Sequence, residues 1–348
     1  MIGLPPRGED RPELLIAAPP VEMIESFLER LRSNLLWKID GLTDEQICRP
    51  LTGSGVSLLG LIKHSAYVER GWFQIKFAGL DVETIWSPED TEADWRIEPG
   101  ETVQSIVSLY RSECDTSRAI VKRSNWEELS SATNGNERCS LGWVLTHMVE
   151  EVARHCGHAD ILREKIVGST GHSRGSMSVS TNGDHRPEPP LTAAPVEMLG
   201  GFLDFLRATL LWKLEGLSDE ETRRVLTPSG VSLISLVKHS AYVERFWFQI
   251  QFAGLDVPNG WSQDDPDADW RIEPTDTVQG LMALYESETA KSREIVREAS
   301  WDDVCQGSRS KSQGKTLGWV LTHMVEEIAR HCGHADILRE MIDGATGE

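Results

Sequence analysis

The chain lacks what a membrane or nucleic-acid protein needs. No apolar run in its 348 residues approaches the ~20 that a transmembrane helix requires. Basic residues are scarce: 35 Lys and Arg stand against 55 Asp and Glu, a formal charge of −20. A surface that acidic repels phosphate backbones and anionic lipid, so no nucleic acid and no membrane is expected as a partner. The opening segment, MIGLPPRGEDRPE, has no basic stretch leading into an apolar one. No signal peptide is read there, and the cytoplasm is the expected compartment. Cys48, Cys114, Cys139, Cys156, Cys305 and Cys332 form no C-x-x-C pair and no regular ladder, which argues against a disulfide framework. Apolar and polar residues nowhere alternate long enough to make a convincing strand.

What the chain has in excess is tryptophan, twelve against four tyrosines. Trp37, Trp72, Trp86, Trp95 and Trp126 recur 175 residues later as Trp212, Trp247, Trp261, Trp270 and Trp301, and Trp143 recurs as Trp319. The sequence is therefore written twice, with copies of domain size. We expect one unit over 10–168, a linker over 169–187 and a second unit over 188–345. The linker is rich in Gly, Ser, Thr and Pro, a flexible composition, and its His172 and His185 read as solvated. The likeness is uneven: 23 of 28 positions agree between Gly55–Val82 and Gly230–Val257, and 23 of 24 between Leu141–Glu164 and Leu317–Glu340, whereas 101–140 diverges.

Four segments of the first copy read as amphipathic helices: about 20–41, 57–79 opening at Ser57, 100–124, and 140–167 opening at Ser140. Thr43–Gln46 has the form of a capping box, and 80–98 reads as a long loop. The fold expected is all-α, two tandem four-helix bundles joined by a flexible linker. At ~100° per residue, Leu61, Val68, Trp72 and Ile75 share one face of the second helix, with His64 at its edge pointing inward. On the fourth helix, Glu151 and His155 fall one turn apart within the apolar stripe, while His147 and His158 lie nearer the rim. A carboxylate and an imidazole aimed into a bundle are costly unless paired or bound to a cation. Glu151 and His155 could grip one divalent ion with His64 as third ligand, and His239, Glu327 and His331 repeat the set. Alternatively, Glu151 pairs with Arg154 or Lys63, and each histidine is a satisfied core residue.

At these residues the chain resembles the DinB-like superfamily of metal-dependent four-helix bundles, once per copy and over nearly all of each. The likeness rests on LGWVLTHMVEEVARHCGHADILRE with SLLGLIKHSAYVERGWF upstream. His64 and His155 match the first and last ligands of such proteins, and Glu151 stands where a histidine is usual. The mycothiol-dependent maleylpyruvate isomerases of the superfamily carry Glu there, in a His/Glu/His zinc site. The resemblance thus implies Glu151, rather than His147 or His158, as the middle ligand. It further implies a transferase using a low-molecular-weight thiol of mycothiol or bacillithiol type on a small electrophilic substrate. Zinc is the preferred metal, with iron or nickel also suited to the donors. Metal-assisted hydrolysis, or a non-catalytic binding or stress-response module stiffened by metal, are the rival expectations.

His147, His158, His323 and His334 are candidates to assist the ligands or handle protons, and Trp86, Trp95, Trp261 and Trp270 to line a substrate entrance. Cys156 and Cys332 read as small buried residues. A monomer whose halves pack as an internal pseudo-dimer is expected.

Overall fold

The computed structural model describes residues 12–133, 137–168, 186–307 and 312–346. The expected linker therefore lies outside the described residues except for Arg186 and Pro187, and so do His172 and His185. The first half comprises α1 (Pro20–Trp37), the single turn α2 (Asp44–Cys48), α3 (Leu58–Glu69), α4 (Val103–Val121) and α5 (Leu141–Val167). The second repeats the order as α6 (Pro195–Trp212), α7 (Asp219–Thr222), α8 (Leu233–Glu244), α9 (Val278–Arg297) and α10 (Leu317–Asp343). The protein is all-α, and pairing among the described residues is confined to isolated bridges such as Leu129 with Ser140.

Local chemistry sets the helix ends. Ser57 Oγ accepts the Gly60 N–H at 3.0 Å and Ser140 Oγ the Trp143 N–H at 3.2 Å, each satisfying an orphan donor of the first turn. Thr43 and Gln46 complete the capping box. The third long helix begins at Val103 under a Thr102 cap, a few residues beyond Pro99.

One departure from helical periodicity matters. From Arg70 to Phe77, and again from Arg245 to Phe252, the α3 and α8 helices run on as π-helix. The wider turn rotates the later side chains away from the ~100° spacing. Trp72 and Ile75, expected on the buried face, are only partly buried, whereas Phe73, Gln74 and Phe77 are buried; in the second copy Trp247, the counterpart of Trp72, is itself buried. His64 precedes the π segment, so its inward aim is unaffected.

In each half the first long helix packs along the last, and the second along the third. The two last helices, α5 and α10, also pack on each other, at backbone contact. A Cβ on Gly157 would lie 2.2 Å from the Arg330 carbonyl oxygen, and one on Gly333 would lie 2.1 Å from that of Arg154. The segments ahead of α1 and α6 cross over. Ile16 O accepts the Thr316 N–H at 3.2 Å and Ala18 O the Trp301 Nε1–H at 3.0 Å. Reciprocally, Leu191 O accepts the Ser140 N–H at 3.0 Å and Ala193 O the Trp126 Nε1–H at 2.9 Å.

Candidate metal centre

His64 comes from the second turn of α3, and Glu151 and His155 come from successive turns of α5. One ligand atom from each lies within 4.8 Å of the others, and the same is true of His239, Glu327 and His331. Glu151 Oε1 stands 3.5 Å from His64 Nε2 and 3.8 Å from His155 Nε2. Its counterpart, Glu327 Oε1, stands 3.7 Å from His239 Nε2 and 3.4 Å from His331 Nε2. Two donors each ~2.1 Å from a tetrahedral ion are ~3.4 Å apart, so these spacings suit a shared cation better than a tight hydrogen bond. Neither ring nitrogen of buried His331 has a hydrogen-bond partner. A buried imidazole left so is costly, and a cation accepting its lone pair removes that cost. The donor set therefore fits a divalent ion.

The rival partners of Glu151 are engaged elsewhere. Lys63 Nζ donates to Arg96 O at 2.6 Å and Glu101 Oε2 at 2.8 Å, and Arg154 Nε donates to Asp336 Oδ2 at 2.7 Å. The Lys63 bonds have a further effect, because they fasten the 80–98 loop to α3. Gly60 lies close against that loop, where a Cβ would stand 2.7 Å from Trp95 O, although Ser235 takes its place in the second half. Lys238 repeats the tie through Arg271 O and Asp276.

So held, the loop delivers a residue that periodicity does not find. Asp94 Oδ2 accepts from His64 Nδ1 at 2.6 Å, and Asp269 Oδ2 from His239 Nδ1 at 2.7 Å, both carboxylates being buried. Asp94 thereby fixes a proton on Nδ1 and turns Nε2 toward Glu151, the carboxylate–histidine arrangement common around metals. The signal was present in the sequence: ADWRIEP stands at 93–99 and again at 268–274. Trp95 and Trp270 stack on the same histidines, with ring centroids 4.0 and 3.8 Å away.

Protonation follows from these neighbours. Burial disfavours a charged His64, but Asp94 and Glu151 outweigh it and raise the imidazole to about 9, and His239 rises for the same reasons. Burial pushes Glu151 up, yet His155, His64 and His147 together hold its carboxyl below the ordinary range. Burial is likewise outweighed at Glu327, by His239 and His331. Burial lowers His155 to about 3 and His331 to about 4. Ionised Glu151 and Glu327 and neutral His155 and His331 are thus in the states that metal binding requires, whereas His64 and His239, held toward the protonated form, must release a proton for a cation to bind.

The remaining histidines take other places. His147 stacks on Trp143 at 4.9 Å and meets Trp72 edge-on at 4.6 Å, and His323 does the same with Trp319 and Trp247. His158 and His334 lie next to His155 and His331 but bond to Asp336 and Asp160, each on the opposite half. Trp86 and Trp261 meet Tyr67 and Phe246 rather than the histidines. Cys156 and Cys332 are buried, and burial pushes both thiols up to about 12, so neither is a nucleophile at neutral pH.

No curated protein and no solved structure matches the chain. A family model does, twice: that of the mycothiol-S-transferases, over residues 23–168 and again over 198–344, each match spanning one complete His/Glu/His group. The chain thus belongs to the mycothiol-S-transferase family of DinB-like proteins, carrying the family's module in two tandem copies.

Proposed function

We propose that each half holds one divalent metal ion, through His64, Glu151 and His155 in the first and His239, Glu327 and His331 in the second, and transfers a low-molecular-weight thiol onto a small electrophile. The observation that carries this reading is the half-buried carboxylate between two imidazoles, one of them oriented by an aspartate from a loop, present twice with the same partners. Zinc suits the nitrogen and oxygen donors. A divalent ion bound by three protein ligands supplies the positive charge that favours thiolate over thiol at neutral pH. The residues do the rest. Asp94 fixes the tautomer and ring plane of His64, Trp95 covers one face of that ring, and the buried His155 stays neutral. Glu151 and Glu327 keep 20% and 27% of their side-chain surface open, which leaves each group a side for substrate to approach.

We further propose that the units are 10–168 and 188–345, that the chain is monomeric with its two halves packed as an internal pseudo-dimer, and that it works in the cytoplasm, where such thiols are kept reduced. The deciding experiment is metal analysis of untagged protein purified without added metal, beside Glu151→Gln/Glu327→Gln. About two equivalents per chain, one for each group, lost in the variant, support the reading. Wild-type protein that is metal-free and refuses zinc overturns it. Turnover of an electrophile that needs no thiol would point instead to hydrolysis.

A further inference from the structure

Asp336 of α10 is clamped to the first half. Its Oδ2 accepts from Arg154 Nε at 2.7 Å and from His158 Nε2 at 2.9 Å, and its Oδ1 stands 3.2 Å from Arg154 Nη2. Lys213 Nζ, 2.8 Å from the same Oδ1, adds a cation from the second half. Arg154 and His158 bracket His155 along α5, one just before it and the other nearly a turn after. The His158 ring centroid is 5.6 Å from that of His155. The arrangement is reciprocal. Asp160 of α5 takes Arg330 Nε at 2.8 Å and His334 Nε2 at 3.2 Å, together with Lys38, and the His334 ring lies 5.7 Å from that of His331. Between the two clamps, Gly157 and Gly333 hold α5 and α10 at backbone contact, which leaves little slack for either carboxylate to shift.

We propose that each half completes the other's site: Asp336 is the positioning residue that fixes Arg154 and His158 around His155, and Asp160 does the same for Arg330 and His334 around His331. The inference rests on the metal reading above, which assigns His155 and His331 as ligands. It makes the two halves a functional unit and not merely neighbours on one chain, since the carboxylate that orders each site is carried by the last helix of the other half.

The test is a crossed one in the full chain. Glu327→Gln leaves only the first site and Glu151→Gln only the second. Asp336→Asn is expected to weaken zinc binding about tenfold in the first background and to leave it within about twofold in the second. Asp160→Asn is expected to do the reverse, and Asp336→Glu, which keeps the charge, to restore part of the affinity. Side-chain ¹⁵N–¹H histidine spectra read the same positioning without metal. Asp336→Asn should move the His155 and His158 signals and leave those of His331 and His334 in place. An effect of Asp336→Asn on the second site, or equally on both, overturns the proposal, as do unmoved His155 and His158 signals. Wild-type protein that binds no zinc overturns the metal reading, and the spectra then still decide the positioning.

Discussion

Consider Gly157→Ala against Gly200→Ala. Both glycines lie in helices, α5 and α6, where alanine is favoured by about 1 kcal/mol per residue. At Gly200 a Cβ meets nothing within 4 Å, so the gain stands alone and the variant should be more stable by roughly that 1 kcal/mol. At Gly157 the new Cβ would sit 2.2 Å from the Arg330 carbonyl oxygen. Ordinary contact needs ~3.4 Å, so α5 and α10 must part by about 1 Å. The obstructing atom is helix backbone and cannot rotate aside as a side chain could. Overpacking of this kind costs about 1–3 kcal/mol, and a rigid neighbour places it at the upper end, for a net loss of about 2 kcal/mol after the helical gain. Urea denaturation of wild type and both variants measures this directly. Gly157 and Gly333 are neighbours, with the added Cβ 3.2 Å from the Gly333 Cα, so one separation relieves both clashes. Gly157→Ala/Gly333→Ala should therefore cost less than the sum of its parts. A Gly157→Ala protein as stable as Gly200→Ala, or a fully additive double variant, would refute the close-contact argument.

Other perturbations give equally definite expectations. Arg32 donates twice to Glu69, and both side chains are buried; Arg32→Met strands the carboxylate and should cost about 3–5 kcal/mol in urea, whereas Arg96→Ala, whose partner Asp90 is exposed, should leave the midpoint unmoved. Asp94→Asn should weaken zinc binding about 10–100-fold, read by competition with a chelating dye, while an unchanged affinity would remove Asp94 from the site. Burial raises Asp336 and Asp160, but Arg154, Lys213 and His158 hold the first well below its ordinary range, and His334, Arg330 and Lys38 hold the second below it. Carboxylates so depressed stabilise the fold above the unfolded pKa, near 4, and lose that contribution as pH falls through the folded values. The stability gap between wild type and Asp336→Asn should therefore be full at pH 7 and close steadily below about pH 4; a gap independent of pH would contradict it. Removing residues 1–18 takes away the acceptors of Thr316 N–H and Trp301 Nε1–H, so hydrogen exchange should quicken at the start of α10 although every deleted residue precedes α1.

How far the sequence carries the fold and site depends on the kind of signal. Caps and apolar stripes are local, so Ser57, Ser140 and the inward set of His64, Glu151 and His155 follow from ordering and spacing. Spacing fails where the backbone stops obeying it. Beyond Arg70 the π-helix brings Phe73 and Gln74 onto the buried face beside the partly buried Trp72 and leaves Ile75 only partly covered, and no residue-by-residue rotation foretells that. Asp94 lies in a loop with no period, 30 residues from the histidine it orients, and only its exact recurrence as Asp269 marks it. Asp160 recurs as Asp336, but neither spacing nor recurrence reveals their role, because the partners that define them belong to the other half of the chain.

The crossing arms bear on how the protein is made. Ala18 O and the Trp301 indole that donates to it are separated by 283 residues. At synthesis rates of about 5–20 residues per second, the arm leaves the ribosome about 15–60 s before its partner exists. The first half waits as well, for Leu191 and Ala193 to reach Ser140 and Trp126, though only until translation passes the junction. Of the two arm seals, the later to close in the nascent protein is thus the one between its earliest described segment and a loop near the start of the last helix.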